Sequence, residues 1–165
     1  MIVLGYGTFS IGATDIAVTR GGGTFKVIKT NKEIIADGDY GPVEGRIRVD
    51  GSRCELMMNT LEVISANLTK FYPATALDTT TVAGTATLTG TLDIIAADYN
   101  ATVTWTGVTD DGKAVIIEVE NAINLGDLDW SMVDKDEIVP QITYTGTYDA
   151  AARTTEPWSI DFVDA

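Results

Sequence analysis

The residue types that carry most enzymatic chemistry are sparse in this chain. No histidine occurs among its 165 residues, which removes the commonest general base near neutral pH and the commonest metal ligand. Serine or cysteine nucleophile schemes that need a histidine partner are excluded with it. The one cysteine, Cys54, stands between Arg53 and Glu55 on an expected strand, where a thiol is expected to be structural. Asp37-Gly38-Asp39 and the pair Asp110 and Asp111 offer oxygens of the kind calcium loops use. Neither run supplies the further acidic ligands and the closing glutamate of such a loop, so both are expected to be turns. A glycosidase needs two carboxyl groups at a set separation, and any acidic β-protein offers such pairs by chance. Gly21-Gly22-Gly23 lacks the Gly-Lys-Ser/Thr and the helix of a phosphate loop; a sharp reversal or a close backbone contact is expected instead. No catalytic residue, metal site or cofactor is expected, and the protein is expected not to be an enzyme.

The elements that would position any site are strands. Alternation predicts strands over Phe9 to Gly12, Ile16 to Arg20 and Thr24 to Ile28, and over Val43 to Val49 and Ser52 to Met58 around a two-residue turn at Asp50-Gly51. Asn59, with Glu62 three places on, has the form of a capping box, and Leu61, Ile64 and Leu68 fall at helical spacing. One short amphipathic helix is therefore expected over 59–69. The threonine-rich run Asp78 to Thr91 suits strands with one wetted face, and Leu92 to Asn100 fits a strand or a turn of helix. Ala101 to Val108 and Lys113 to Glu120 flank Asp110-Asp111-Gly112 as a hairpin. Leu125 to Glu137 is an acidic stretch anchored by Trp130 and Met132. Ile138 to Tyr148 alternates again, and Pro157 to Val163 places Trp158, Ile160 and Phe162 on one face. The count predicts one mainly β domain over 1–165, a β-sandwich or barrel.

Between the early strands lies a long excursion, 31–45. It carries the turn formers Asp37-Gly38, Gly41 and Pro42 together with the apolar Ile34, Ile35, Tyr40 and Val43. Apolar groups on a projection are costly in water unless another surface covers them. Assembly is the first function this stretch suggests.

Composition points the same way. A net charge of −13 argues against holding a phosphate backbone, which relies on Lys and Arg displacing counterions. The charge is uneven: Met1 to Thr109 carries −3 and Asp110 to Ala165 carries −10. Such a chain could pair its own surfaces head to tail. Arg20, Lys26, Lys29, Lys32, Arg46, Arg48 and Arg53 are expected to meet Asp127, Asp129, Asp134, Asp136 and Glu137 of a neighbour. A single cysteine rules out an internal disulfide framework. No signal peptide and no apolar run of membrane-spanning length is legible, so use without translocation, and without a membrane, is expected.

FSIGATDIAVTRGGGTFKVIKT followed by IIADGDYGPVEGRIRVDGSRCELMMNTLEVISANL resembles the phage major tail tube protein family, related in fold to the tubes of type VI secretion and contractile tails. The similar features are Gly12, the Gly21-Gly22-Gly23 turn, Asp37-Gly38 before Gly41-Pro42-Val43, and a strand leading into Leu61-Glu62. They cover roughly the first 70 residues. The resemblance implies a β-barrel-like sandwich with one flanking helix, forming hexameric rings that stack into a hollow virion tail tube assembled in the host cytoplasm. It implies an acidic inner wall along which DNA passes without specific binding, and a long loop making inter-ring contacts, for which Ile34, Ile35, Asp37, Asp39, Tyr40, Val43, Arg46 and Arg48 are the candidates. It also implies a tape-measure protein, a tail terminator and a baseplate or tip complex as partners. No appended immunoglobulin-like domain is expected. Two alternatives are a secretion-system or tail-like bacteriocin tube, and a monomeric carbohydrate-binding or adhesive β-sandwich using Trp105, Trp130 and Trp158 as stacking platforms.

Overall fold

A computed structural model of the protein describes residues 2–16, 18–61 and 63–163. The fold is mainly β, with antiparallel pairing throughout and one short helix. Its strands are β1 (Val3–Ile11), β2 (Thr14–Ile16), β3 (Thr19–Glu33), β4 (Ile47–Thr60), β5 (Thr75–Asp78), β6 (Thr87–Gly90), β7 (Asn100–Thr109), β8 (Ala114–Asn124), β9 (Gln141–Gly146) and β10 (Trp158–Phe162). The main sheet runs β2-β1-β7-β8-β9-β4-β3, while β5 and β6 form a separate hairpin.

The sheet forks at β8. Residues 115–119 of that strand pair with β10 and residues 122–124 pair with β9. Between the two stretches Asn121 adopts φ 46°, and its carbonyl accepts a hydrogen bond from Thr147 Oγ1 at 2.7 Å. A left-handed residue at that point ends one ladder and lets the next begin.

The core follows from period-two alternation. Phe9 and Ile11, Cys54, Leu56 and Met58, Val103, Val115 and Val119, Ile142 and Tyr144 are all buried. The sheet rolls until its two ends meet. A β-carbon on Gly23 of β3 would lie 2.5 Å from Phe9 Cζ of β1, and Phe25 of β3 packs on Trp158 of β10 with ring centroids 5.8 Å apart. Of the readings left open for the glycine run, the close backbone contact is the one Gly23 fulfils.

Several expectations change; the threonine-rich run Asp78 to Thr91, for one, is strand only at Asp78 and over Thr87–Gly90. The helix expected over 59–69 is instead the end of β4, a 3-10 turn at Ser65–Asn67 and a four-residue helix α1 (Leu68–Phe71). Asn59 is no cap, because it pairs with Gln141 in the ladder, and buried Thr60 extends the alternation of Leu56 and Met58. Strand periodicity with a ladder partner outweighs a local capping signal; Glu62 of that signal lies outside the described residues. Asp50-Gly51 is no hairpin turn either. The register steps from Thr30↔Gly51 to Asn31↔Val49, leaving Asp50 as the extra residue of a β-bulge within a continuous β4. Gly21-Gly22-Gly23 lies inside β3, where Gly21 (φ 85°) and Gly22 (φ 72°) form a second bulge between Thr19 and Gly23. Asn31, Lys32 and Glu33, expected in the loop, are strand, so the excursion runs 34–46.

Candidate functional site

The long β3–β4 ribbon is the first candidate surface. β9 pairs with β4 only over residues 55–59. Ile28–Glu33 and Ile47–Arg53 therefore pair with each other alone, and all of these residues except half-buried Ser52 are exposed. A two-stranded ribbon is marginal by itself in water. Its tip is nevertheless ordered locally: Asp39 Oδ2 accepts from Arg46 Nη1 at 2.6 Å and from the Ala36 amide at 2.8 Å. The Asp39 and Arg46 amides donate to the carbonyls of Ala36 (3.1 Å) and Val43 (3.0 Å), and Gly38 supplies the positive φ the turn requires. Of the residues expected to make contacts here, Asp39 and Arg46 serve the tip itself and Val43 is half-buried. Ile34, Ile35, Asp37, Tyr40 and Arg48 are exposed, Tyr40 completely.

The ribbon's faces differ in chemistry. Register puts Lys26, Ile28, Thr30 and Lys32 on one face with Glu55, Arg53 and Arg48, and puts Lys29, Asn31 and Glu33 on the other with Val49 and Ile47. Arg53 Nε meets Glu55 at 2.9 Å. Lys32 stands directly opposite Arg48, and among the described residues neither has an acidic partner within salt-bridge distance. Like charges in cross-strand register are destabilising; an anionic surface over that pair would relieve the repulsion.

The expected acidic surface divides in two. Arg20 Nη1 donates to Glu137 Oε2 at 2.7 Å and to Asp136 Oδ1 at 3.2 Å, so Arg20, Asp136 and Glu137 meet within the chain. Hydrogen bonds from the Glu137 side, reinforced by Arg20, hold the Asp136 carboxyl below its usual range. Asp127, Asp129 and Asp134 remain exposed, and the first two line a cleft with Asn124 and Gln141. Met132, expected as an anchor in this stretch, is instead exposed, whereas Trp130 packs on the core and its Nε1 donates to Tyr72 Oη at 3.1 Å.

A second surface was not identified from sequence. The outward positions of β2, β1, β7, β8 and β10 carry Asp15, then Thr8 and Ser10, Thr102, Thr104 and Thr106, Glu118 and Glu120, and Ser159 and Asp161. The result is a wall of hydroxyls and four carboxylates, interrupted by Ile116 between Thr106 and Asp161, with no lysine or arginine at these positions. Ser10 Oγ and Thr104 Oγ1 hydrogen-bond across it at 2.8 Å. The signal was present in the Thr/Glu alternation of the 101–120 hairpin, but pairing between distant strands is what joins the rows.

The tryptophans are used in packing: Trp105, Trp130 and Trp158 all lie against the core. Burial pushes the Cys54 thiol up from its ordinary value, which keeps it neutral and unreactive. Among the described residues no group of three or more His, Cys, Asp or Glu side chains is placed to hold a metal ion, and no helix is long and apolar enough to cross a membrane. No protein-family model matches the chain, and no curated protein matches it.

Proposed function

We propose that this chain is a self-assembling tube subunit, whose copies form rings, six-membered as the resemblance implies, that stack head to tail around a negatively lined bore and so make a phage tail tube. The observation that carries this reading is the β3–β4 ribbon, a projection with a fixed tip and exposed Ile34, Ile35, Tyr40, Ile47 and Val49. Such a structure gains most of its stability from whatever covers it. A copy of the same chain is the partner that needs no further assumption, and a contact between unlike surfaces closes into a ring where its rotation closes and otherwise propagates.

The cation-free wall supports the second half of the proposal. A polyanion is captured by lysine and arginine through counterion release; a lining of hydroxyls and carboxylates offers it no holding point, so DNA passes. The free edge of β3 would pair across subunits within a ring, which removes an exposed edge that otherwise invites aggregation. A ruler, a terminator and a tip complex would set length and ends, since nothing in a repeating joint does so.

Negative-stain microscopy of the purified protein over a concentration series is the direct test. Rings or hollow tubes are the expected result. Featureless particles of monomer mass at every concentration, confirmed by sedimentation, would remove the proposal.

A further inference from the structure

We infer that the tip of one copy seats Tyr40 in an apolar groove at the opposite pole of the next copy, a groove formed by Tyr72, Pro73, Ile94, Leu125 and Leu128. The inference rests on the tube reading and names the joint within it.

The groove lies past the end of β8, beside α1, and is open to solvent, with a volume of about 250 Å³. An engineered apolar cavity of about 150 Å³ admits benzene, so the space is enough for a phenol ring. Tyr72 and Asn124 are buried and form its floor, the latter fixed by a 2.7 Å hydrogen bond from Nδ2 to the Phe71 carbonyl. Ile94, Leu125 and Leu128 form its rim and are each half or more exposed, at 51%, 56% and 52%. Three branched aliphatic side chains around one concavity, left in water, are costly unless another surface covers them.

Topology says that the occupant is not the chain's own tip. β4 and β8 are both antiparallel to β9 and therefore run the same way; Leu56, Tyr144 and Asn124 stand level across the three strands. The tip precedes Ile47, nine residues back from Leu56, or about 30 Å at strand rise. The groove follows Asn124 in the other direction. Tip and groove are thus at opposite ends, and only a second copy brings them together. A joint of this kind leaves a free tip at one end and a free groove at the other.

Charge agrees with the apolar fit. An acidic cleft containing Asp127 and Asp129 shares Asn124 and Gly126 with the groove. A tip seated there carries Lys32 and Arg48, the repelling pair on the ribbon stem, toward those carboxylates.

The test is a pair of experiments on the full chain. Tyr40→Cys and Leu128→Cys are combined in one chain, Cys54 being buried and silent, and the protein is oxidised. A ladder of disulfide-linked multimers on a non-reducing gel is expected, with neither single variant going beyond dimers. Tyr40→Ala and Leu128→Asp are then made separately. Each is expected to raise the concentration needed for assembly at least ten-fold with an unchanged melting temperature, and Tyr40→Phe is expected to assemble normally. Mixed one to one, the two variants possess one intact tip and one intact groove, so paired particles that never elongate are expected. If the wild type forms tubes while the ladder is missing and Tyr40→Ala assembles as well as wild type, the groove is not the seat and the tube reading survives. Absence of wild-type tubes with the ladder still present removes the tube and keeps the joint; absence of both removes both.

Discussion

Trp105 lies flat across Gly107: a β-carbon built on that glycine would come within 2.6 Å of the indole Cζ2, and one on the cross-strand neighbour Gly7 within 2.7 Å of its Nε1. Two glycines in register thus form the bed on which the largest side chain of β7 rests. Gly107→Ala is expected to force the indole out and to cost about 1–3 kcal/mol, the usual range for overpacking. Urea unfolding followed by tryptophan emission measures both effects. A variant as stable as wild type with unshifted emission would show the bed to be unnecessary.

The ribbon's charge should govern assembly and leave folding alone. Reversing Lys32 and Arg48 together to glutamate removes the +2 that the proposed joint would bring to the acidic pole and is expected to abolish stacking while the melting temperature changes little. Exposed charges are screened over about 10 Å at 0.1 M salt, so wild-type assembly should weaken as sodium chloride rises. Light scattering across a salt series checks this, and assembly indifferent to salt would separate the joint from its electrostatics.

Introducing lysine into the outward wall gives the complementary experiment. Glu118→Lys with Glu120→Lys and Asp161→Lys converts three of the four carboxylates to cations. The variant is expected to bind double-stranded DNA with an affinity that falls steeply with salt, and the wild type is expected to bind none. Fluorescence anisotropy of labelled DNA reads the difference.

Asp78 closes the β5–β6 turn by accepting from the amides of Thr80 and Thr81 and from both hydroxyls, Thr81 Oγ1 most closely. These bonds to the charged form, the Thr81 hydroxyl first, depress its pKa well below the usual carboxylate range. A depressed carboxyl contributes stability that is present above its unfolded value near 3.8 and lost as pH falls through the folded value. Asp78→Asn should therefore melt lower than wild type at neutral pH, and the gap should shrink below about pH 4. Parallel melting curves at every pH would contradict this.

Cys54 should resist thiol reagents until the protein unfolds. Its Sγ occupies the space above Gly146, where a β-carbon would also approach Val119 Cγ1 to 2.9 Å. Labelling by a maleimide is expected to follow denaturation and not thiol ionisation.

What could be read from sequence tracks how local each feature is. The 101–120 hairpin, the Asp110-Asp111-Gly112 turn and the exposed apolar tip were legible because alternation and turn chemistry act over neighbouring residues. Asp50-Gly51 misled because the same dipeptide suits a tight turn and a bulge, and only the partner strand decides between them. Asn59 misled because a capping signal carries no information about Gln141, 82 positions away. The carboxylate wall required Ser10, Thr104, Glu118 and Ser159 to be placed in one row, and no local pattern encodes that row. The Arg20–Glu137 pair was missed for the same reason.

The solitary status of the ribbon has a bearing on timing. Past Ser52, where the Tyr148 hydroxyl reaches the backbone carbonyl at 3.5 Å, and the cleft it shares with Arg153 and Glu156, the outer stem has only its own ladder, so it can fray and re-form while the rest of the sheet stays folded. In the proposed tube much of its ordering entropy would then be lost only when a neighbour docks, so two chance-met subunits would gain little and a pre-formed end that offers several grooves at once would gain much. Growth would begin at a starter and extend from it, and newly made chains would wait in solution without polymerising where they were made.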